Sequence, residues 1–247
     1  MNNRKPRTYV IGDIHGALRA LEQVLTKIHL HEDDRLIFLG DYVDGWSQSQ
    51  EVIQYLMDLE NRQHCIFLKG NHDAWCEEWL SGEDADETWL QHGGQATVES
   101  YRPLTKRQKN THLKFFKRMP LYYIDEANRL FIHAGFSAMR GPLYERFKPN
   151  YYWDRSLWET ALALDNRIEE ESVFYPKRLL LFQEIYIGHT PTINYEVDEP
   201  MHASNVWNID TGAGFWGKLS ALDIDTKEFW QSEPVKDLYP GEKGRSR

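Results

Sequence analysis

The stretch TYVIGDIHG, residues 8–16, decides how this chain is read. A four-residue run of strand length enters a glycine, and an aspartate and a histidine follow at once. The arrangement returns in RLIFLGDYVDG (residues 35–45) and in CIFLKGNHD (residues 65–73). Leu18, Leu21, Val24, Leu25 and Ile28 fall at helical spacing between the first two strings, and Val52, Ile53, Leu56 and Leu59 do so between the second and third. The order is therefore β-α-β-α-β. Crossovers of this kind make parallel strands, whose carboxyl-end loops converge. The loops opening at Gly12, Gly40 and Gly70 are expected on one rim.

Two further strings continue the pattern, LFIHAG (residues 130–135) and EIYIGHT (residues 184–190). Strands are expected at residues 121–124 and 130–133, paired as a hairpin, and at 184–187, 206–209, 219–224 and 228–231. Parallel units followed by hairpins predict an α/β fold, a mixed sandwich. Residues 74–120, with Trp75, Trp79, Trp89 and Leu90, read as helical with a break at Gly93 and Gly94. Residues 141–182 read as a long, partly helical excursion that covers the pocket. No linker interrupts the pattern, so a single domain is expected over residues 1–240, with a disordered tail at 241–247.

Composition narrows the function. Hydrophobic residues make up 41% and charged residues 27%, as in an ordinary globular domain. A net charge of -9 argues against a nucleic-acid partner, because phosphate backbones call for lysine and arginine. No apolar run approaches bilayer length, and the N-terminal residues do not form a signal peptide. Cys65 and Cys76 lack zinc-site spacing and are too few for a disulfide framework. A cytoplasmic location is expected.

The strings carry metal chemistry. Asp13 and His15 lie two apart in one loop and can reach one ion; Asp41 adds a carboxylate, Asn71 a neutral oxygen, and His133 and His189 imidazoles. Hard oxygens mixed with imidazole suit Mn, Fe or Zn. Two such ions sharing a carboxylate hold a hydroxide against phosphorus. His72 directly follows a proposed ligand, so it is better placed to give a proton to the leaving oxygen than to bind the same ion. Asp44 is expected to orient its ring and raise its pKa.

Taken together, GDIHG, GDYVDG, GNHD, HAG and GHT resemble the calcineurin-like metallophosphoesterases. The likeness is nearer to the bacterial and phage protein phosphatases and the symmetrical dinucleoside tetraphosphatases. IDTGA (residues 209–213) extends the match over nearly the whole chain. The resemblance implies a four-layer α-β-β-α sandwich of two mixed sheets. It implies that Asp13 and His15 hold the first metal, that Asp41 bridges, and that Asn71, His133 and His189 complete the second site. His72 and Asp44 match the family's general-acid histidine and its aspartate.

One position departs from the family. Its second motif continues GDxxDRG, with an arginine on the substrate phosphate, whereas here Gly45 and Trp46 follow Asp44. A bidentate clamp is missing from that place. Trp153-Asp154-Arg155 resembles a second arginine site of small bacterial relatives, so Arg155 is expected to be the phosphate clamp, with Asn71 also facing the phosphate. Trp46 reads equally as a stacking platform or as a residue packed on the adjacent helix. Asp210 reads as structural, and His92 and His112 as surface or helix-end residues outside the site.

The expected activity is hydrolysis of a phosphomonoester, phosphoserine and phosphothreonine included. A dinucleoside polyphosphate hydrolase is the alternative, and a non-catalytic metal-binding scaffold of the same fold is a third. The expected partner is a phosphorylated protein, nucleotide or small phosphoester, with neither membrane nor nucleic acid involved.

Overall fold

The computed structural model describes residues 4–246. The first and last residues of the expected domain and tail, 1–3 and 247, lie outside it. Ten strands form two five-stranded sheets. The first sheet holds β1 (Thr8–Ile11), β2 (Arg35–Phe38), β3 (His64–Phe67), β9 (Ser220–Asp223) and β10 (Phe229–Gln231), in the order β10-β9-β1-β2-β3. The second holds β4 (Tyr122–Ile124), β5 (Arg129–Ile132), β6 (Glu184–Ile187), β7 (Met201–Ala203) and β8 (Val206–Asn208), in the order β4-β5-β6-β8-β7.

Side-chain alternation explains why the strands read as nearly continuous apolar runs. Val10, Ile37, Phe131, Tyr186 and Leu222 point between the two sheets and form one buried cluster, in which the Phe131 and Tyr186 rings stack 5.0 Å apart. Their neighbours Tyr9, Ile11, Leu36 and Phe38 face the other way, under α1 (Leu18–Lys27) and α2 (Ser49–Glu60). On the second sheet Leu130, Ile132, Ile185 and Ile187 face a third cluster with Leu157 and Trp158. Three apolar interfaces separate four layers, so both faces of each sheet are covered. Each fully buried aliphatic or aromatic side chain contributes roughly 1.5–3 kcal/mol to this packing.

β1, β2 and β3 run parallel, as the opening strings predict. The β4–β5 hairpin also forms, with Tyr123 opposite Phe131. The turn from residues 219–224 into 228–231 also forms, as the antiparallel β9–β10 pair, and β7–β8 is antiparallel as well; the second sheet differs from a run of hairpins in that β5, β6 and β8 are parallel to one another. Residues 141–182 supply the crossover that a parallel β5–β6 pair requires. His133 and His189 thus stand just past the carboxyl ends of neighbouring parallel strands. The edge strand β7, three residues long, has no sequence signal.

Residues 71–117 hold α3 (Asn71–Leu80), α4 (Glu87–Trp89), α5 (Gln95–Ser100) and α6 (Lys106–Lys117), with a π turn at Leu90–Gly94 where Gly93 takes φ 108°. α7 (Asn150–Trp153) and α8 (Ser156–Ala163) lie in the crossover, and α9 (Val235–Leu238) comes last. No helix among the described residues is long and apolar enough to cross a membrane.

The expected disordered tail is folded through residue 246. Trp46 stacks on Tyr239 with centroids 5.2 Å apart, Ser47 N–H donates to Glu242 at 3.0 Å, and Arg245 N–H donates to the Gly214 carbonyl at 2.8 Å. Composition marks a glycine- and charge-rich segment as solvated, but these are long-range contacts that a local reading does not register.

Candidate active site

Six of the residues singled out from the sequence meet at the rim between the sheets. Asp13, His15, Asp41, Asn71, His133 and His189 are all buried. Asp41 stands at the centre: its Oδ2 lies 3.7 Å from His15 Nε2 and 3.3 Å from His133 Nε2. One oxygen therefore faces both halves of the cluster. Asn71 Oδ1 lies 3.2 Å from His133 Nε2 and 3.0 Å from His189 Nδ1. Asp13 Oδ2 lies 4.0 Å from His15 Nε2 and accepts from the His189 backbone N–H at 3.1 Å.

Backbone contacts set the histidine tautomers. His15 Nδ1 donates to the Val43 carbonyl at 3.1 Å and His133 Nδ1 to the Leu39 carbonyl at 2.9 Å, so each ring turns its Nε2 toward the cluster. Glycines permit the crowding: a Cβ on Gly70 would lie 2.1 Å from Asp41 Oδ1, and one on Gly188 would lie 2.1 Å from Asp13 Oδ1. The chain is also bent here. His15 (φ 54°), Asp41 (53°), Asp44 (74°) and His189 (66°) occupy the left-handed region that L-residues avoid. Such strain persists only where surrounding contacts hold it.

The donor set fits metal ions. His15, Asp41 and His72 form one group of converging ligand atoms, and Asp41, His133 and His189 form another that shares Asp41. Asp13 Oδ1 and His189 Nε2 are buried without a hydrogen-bond partner, a costly arrangement that cations would relieve. The electrostatics agree. Burial and then Asp210 push the Asp13 carboxyl well up. Burial would raise Asp41 too, yet His133 and His72 hold it well below the carboxylate range. Burial would lower His133, but Asp41 and Asp13 outweigh it and hold its pKa at about 10. Asp41 thus stays charged and draws positive charge to the place where ligand atoms converge.

His72 and Asp44 form a buried pair, Nδ1 to Oδ2, at 2.6 Å. Nδ1 is committed, so Nε2 is the nitrogen left for the cavity that the ring lines. The expected rise in the His72 pKa does not follow: burial and then Arg245 push it down, against Asp41 and Asp44. Asp44 thus acts by fixing the ring's tautomer and direction.

The cluster forms the floor of a cavity of about 290 Å³, whose walls include Trp75, His92, Trp153, Arg155 and Arg245. Arg155, expected as phosphate clamp, is exposed at this wall. The preceding Asp154 carboxylate accepts from the Leu157 N–H in the first turn of α8 at 3.1 Å and lies where a Cβ on Gly135 would be 2.6 Å away. Trp153 is 39% exposed, packs edge-on against Trp75 at 5.0 Å and reaches His189 at 5.8 Å. Trp46, by contrast, is buried and donates from Nε1 to the Ala213 carbonyl at 2.7 Å, so it is a packing residue.

His92, read as lying outside the site, lines the cavity. His112, read as a surface or helix-end residue, is buried in α6 beneath the Tyr101 hydroxyl. Asp210 accepts from the Gly212 N–H at 3.0 Å, a turn role.

Several working residues were not singled out from the sequence. Asp73 accepts from the backbone N–H groups of Asp41 (2.7 Å), Tyr42 (2.9 Å) and Gly70 (2.8 Å), clamping two motif loops together. Burial and the Asp41 charge push its pKa to about 7. Its place inside GNHD was the available signal. Trp89 Nε1 donates to Asp44 Oδ2 at 2.7 Å, and Thr97 Oγ1 to Asp44 Oδ1 at 2.6 Å. Nothing in the local sequence points to either role, nor to Arg245.

Comparison with known proteins gives consistent results. Residues 6–213 match the family described as calcineurin-like phosphoesterase. The chain is similar to a bis(5'-nucleosyl)-tetraphosphatase PrpE [asymmetrical] of Oceanobacillus iheyensis, 28% identical over 89% of this chain and 89% of that one. It is also similar to the protein of that name from Bacillus mycoides, 30% identical over 86% of this chain and 88% of that one. Among solved structures, a protein serine/threonine phosphatase from Saccharomyces cerevisiae superposes with a TM-score of 0.59 at 13% identity, over 99% of this chain and 84% of that one. At that identity the likeness is one of fold.

Proposed function

The chain belongs to the calcineurin-like phosphoesterases, and from that premise we propose that it hydrolyses the phosphoanhydride chain of a dinucleoside polyphosphate. One observation carries the reading. Trp153 stands exposed and edge-on to Trp75 at a cavity that also holds Arg155 and His72. A nucleotide offers a base to such an indole and a polyphosphate to the guanidinium beside it. Hydrolysis of a phosphorylated serine or threonine has no use for a stacking wall. The tetraphosphatase activity for which the two bacterial relatives are named supports the same choice. The order expected from the sequence, phosphomonoester first, is thereby reversed.

In this reading Asp13, His15 and Asp41 would hold one ion, and Asp41, Asn71, His133 and His189 would hold the other. Mn, or an Fe/Zn pair, suits this mixture of oxygen and imidazole. When bound, the pair supplies Lewis-acid activation of water and neutralises charge on the attacked phosphate. Arg155 and Asn71 hold phosphate oxygens, which fixes the reacting phosphorus against the floor. His72, held at Nδ1 by Asp44, has Nε2 free for the leaving oxygen and gives a proton there only in its imidazolium form, which burial and Arg245 disfavour. A phosphate leaving group is far less basic than an alkoxide, so this acid matters less for anhydrides than for alkyl esters. The two cysteines, neither in a disulfide, suit the reducing cytoplasm.

The test is a substrate panel on Mn-loaded protein. Diadenosine tetraphosphate is expected to exceed p-nitrophenyl phosphate and a phosphoserine peptide in kcat/KM by roughly 5–100-fold, the worth of a stacked base. Chromatography is expected to show equal amounts of mono- and triphosphate. A preference for the peptide overturns the reading.

A further inference from the structure

The guanidinium missing from the second motif is present in the cleft, delivered from another part of the chain. We propose that Arg245 is a substrate-phosphate-binding residue, occupying the place that Gly45 leaves open. The assignment rests on the phosphohydrolase reading above.

Three glycines make room for its stem. A Cβ on Gly45 would lie 3.0 Å from Arg245 Cγ, one on Gly93 would lie 3.2 Å from the same carbon, and one on Gly214 would lie 3.1 Å from Cδ. Gly45 itself sits at φ 103°, and its N–H donates to the Gly93 carbonyl at 3.1 Å. A side chain leaving position 45 would meet the Arg245 stem at once. The two arginines are therefore alternatives for one space, and this chain carries the second.

The guanidinium is aimed at the floor. Its Nη1 donates to His15 Nε2 at 3.1 Å, its Nε donates to the His92 carbonyl at 3.3 Å, and Cζ lies 5.0 Å from the centre of the Phe215 ring. Among the described residues no carboxylate lies within ion-pairing distance of it, and the buried Asp210 feels its charge only from further away. His15 Nε2 is also the lone pair that faces Asp13 and Asp41. An ion on that lone pair would displace Nη1 from it and leave the donor to an anion in the cavity, and a phosphate oxygen is the anion this cleft is built for.

The approach is rigid where it needs to be. Trp46 stacks on Tyr239, Glu242 accepts from Ser47 at both its backbone N–H and its hydroxyl, and Gly244 lies where a Cβ would be 2.7 Å from Trp46 Cζ2. Trp46, which stands one residue after the missing arginine's position, is thus the surface on which the replacement is carried in. With the exposed Arg155 lining the same cavity, a polyphosphate meets two guanidinium groups.

The test compares wild type with Arg245→Met, which keeps the stem in the glycine slot, and with Arg245→Lys, which keeps the charge but not the fork. Tungstate binding to Mn-loaded protein is measured by calorimetry, metal content by elemental analysis, and kcat and KM on diadenosine tetraphosphate. Arg245→Met is expected to bind tungstate roughly 10–100-fold more weakly at unchanged metal content and melting temperature, as befits a lost charged hydrogen bond. Arg245→Lys is expected to fall between, and added guanidinium ion to restore part of the loss in Arg245→Met. Wild-type tungstate affinity in Arg245→Met, or a loss that only tracks lost metal, overturns the assignment. If wild type turns over no substrate in the panel yet tungstate affinity falls in Arg245→Met, the proposed activity fails and this assignment stands.

Discussion

The floor and the mouth of the cleft are built on opposite plans. At the floor, Asp13, His15, Asp41, Asn71, His133 and His189 follow strand ends and are buried, and four of them are tied to backbone groups by side-chain hydrogen bonds. At the mouth, Trp75, Trp153, Arg155 and Arg245 come from α3, the crossover between β5 and β6, and the segment beyond α9, and they keep partial or full exposure. Under the proposed function the difference separates two tasks. Ligands for a pair of ions tolerate little displacement, so rigid strands and strained loops hold them. Groups that read a substrate can sit on peripheral segments, because one floor serves many phosphoesters.

The largest expected effect breaks the floor at its shared atom. Asp41→Asn removes the charge that His15 and His133 both face, and kcat/KM is expected to fall by about 10³-fold or more. Elemental analysis is expected to find fewer than two ions per chain. Full metal content and full activity in this variant would sink the idea of a shared carboxylate.

His72→Asn tests the residue between the two regions. A roughly 10²–10³-fold loss in kcat is expected for an alkyl phosphate, with a much smaller loss for p-nitrophenyl phosphate, whose leaving group needs little proton assistance. Equal losses on both substrates would assign His72 to the metal floor instead.

At the mouth, Trp153→Ala is expected to raise KM for diadenosine tetraphosphate by roughly 5–100-fold, the worth of one stacked base. KM for p-nitrophenyl phosphate should hardly move. If both rise together, Trp153 supports the floor and the separation of tasks is wrong.

The smallest expected effect lies outside the cleft and serves as its control. His112 accepts from the Tyr101 hydroxyl at Nδ1 and faces Gln54 with Nε2, and burial holds its pKa down at about 4, against 6.5 for a free imidazole. The unfolded chain takes up this proton first as the pH falls, so stability is lost from about pH 6.5 down to about pH 4. Denaturant melts of His112→Gln are expected to show a shallower slope across that window and unaltered activity at pH 7.5. An unchanged slope would remove His112 from the account.

Legibility followed the distance over which each feature is determined. The motif loops were readable because glycine, aspartate and histidine stand next to one another after short apolar strands, and local sterics fix what such strings do. The inner set of strands was readable for the same reason. Asp73 was visible as a letter of GNHD, though its work, clamping Asp41 and Gly70, depends on two loops meeting. Trp89 and Thr97 were not readable, because they reach Asp44 only through the packing of helical segments on α2. The parallel pairing of β5, β6 and β8 was missed because strand direction depends on the path of the long segment between them, which carries no regular pattern.

The sequence by itself determined a metal-binding phosphoesterase floor on an α/β sandwich, and it also exposed the absence of an arginine after Asp44. Only the tertiary structure decided what fills that absence. Arg245 lies 200 residues from Gly45 along the chain, and nothing local distinguishes it from any solvated arginine. It becomes a site residue through a slot of three glycines, a buried Trp46 and the folded segment that crosses them. Spacing along the chain records bonds and short-range sterics; contact between distant segments exists only once the core has formed.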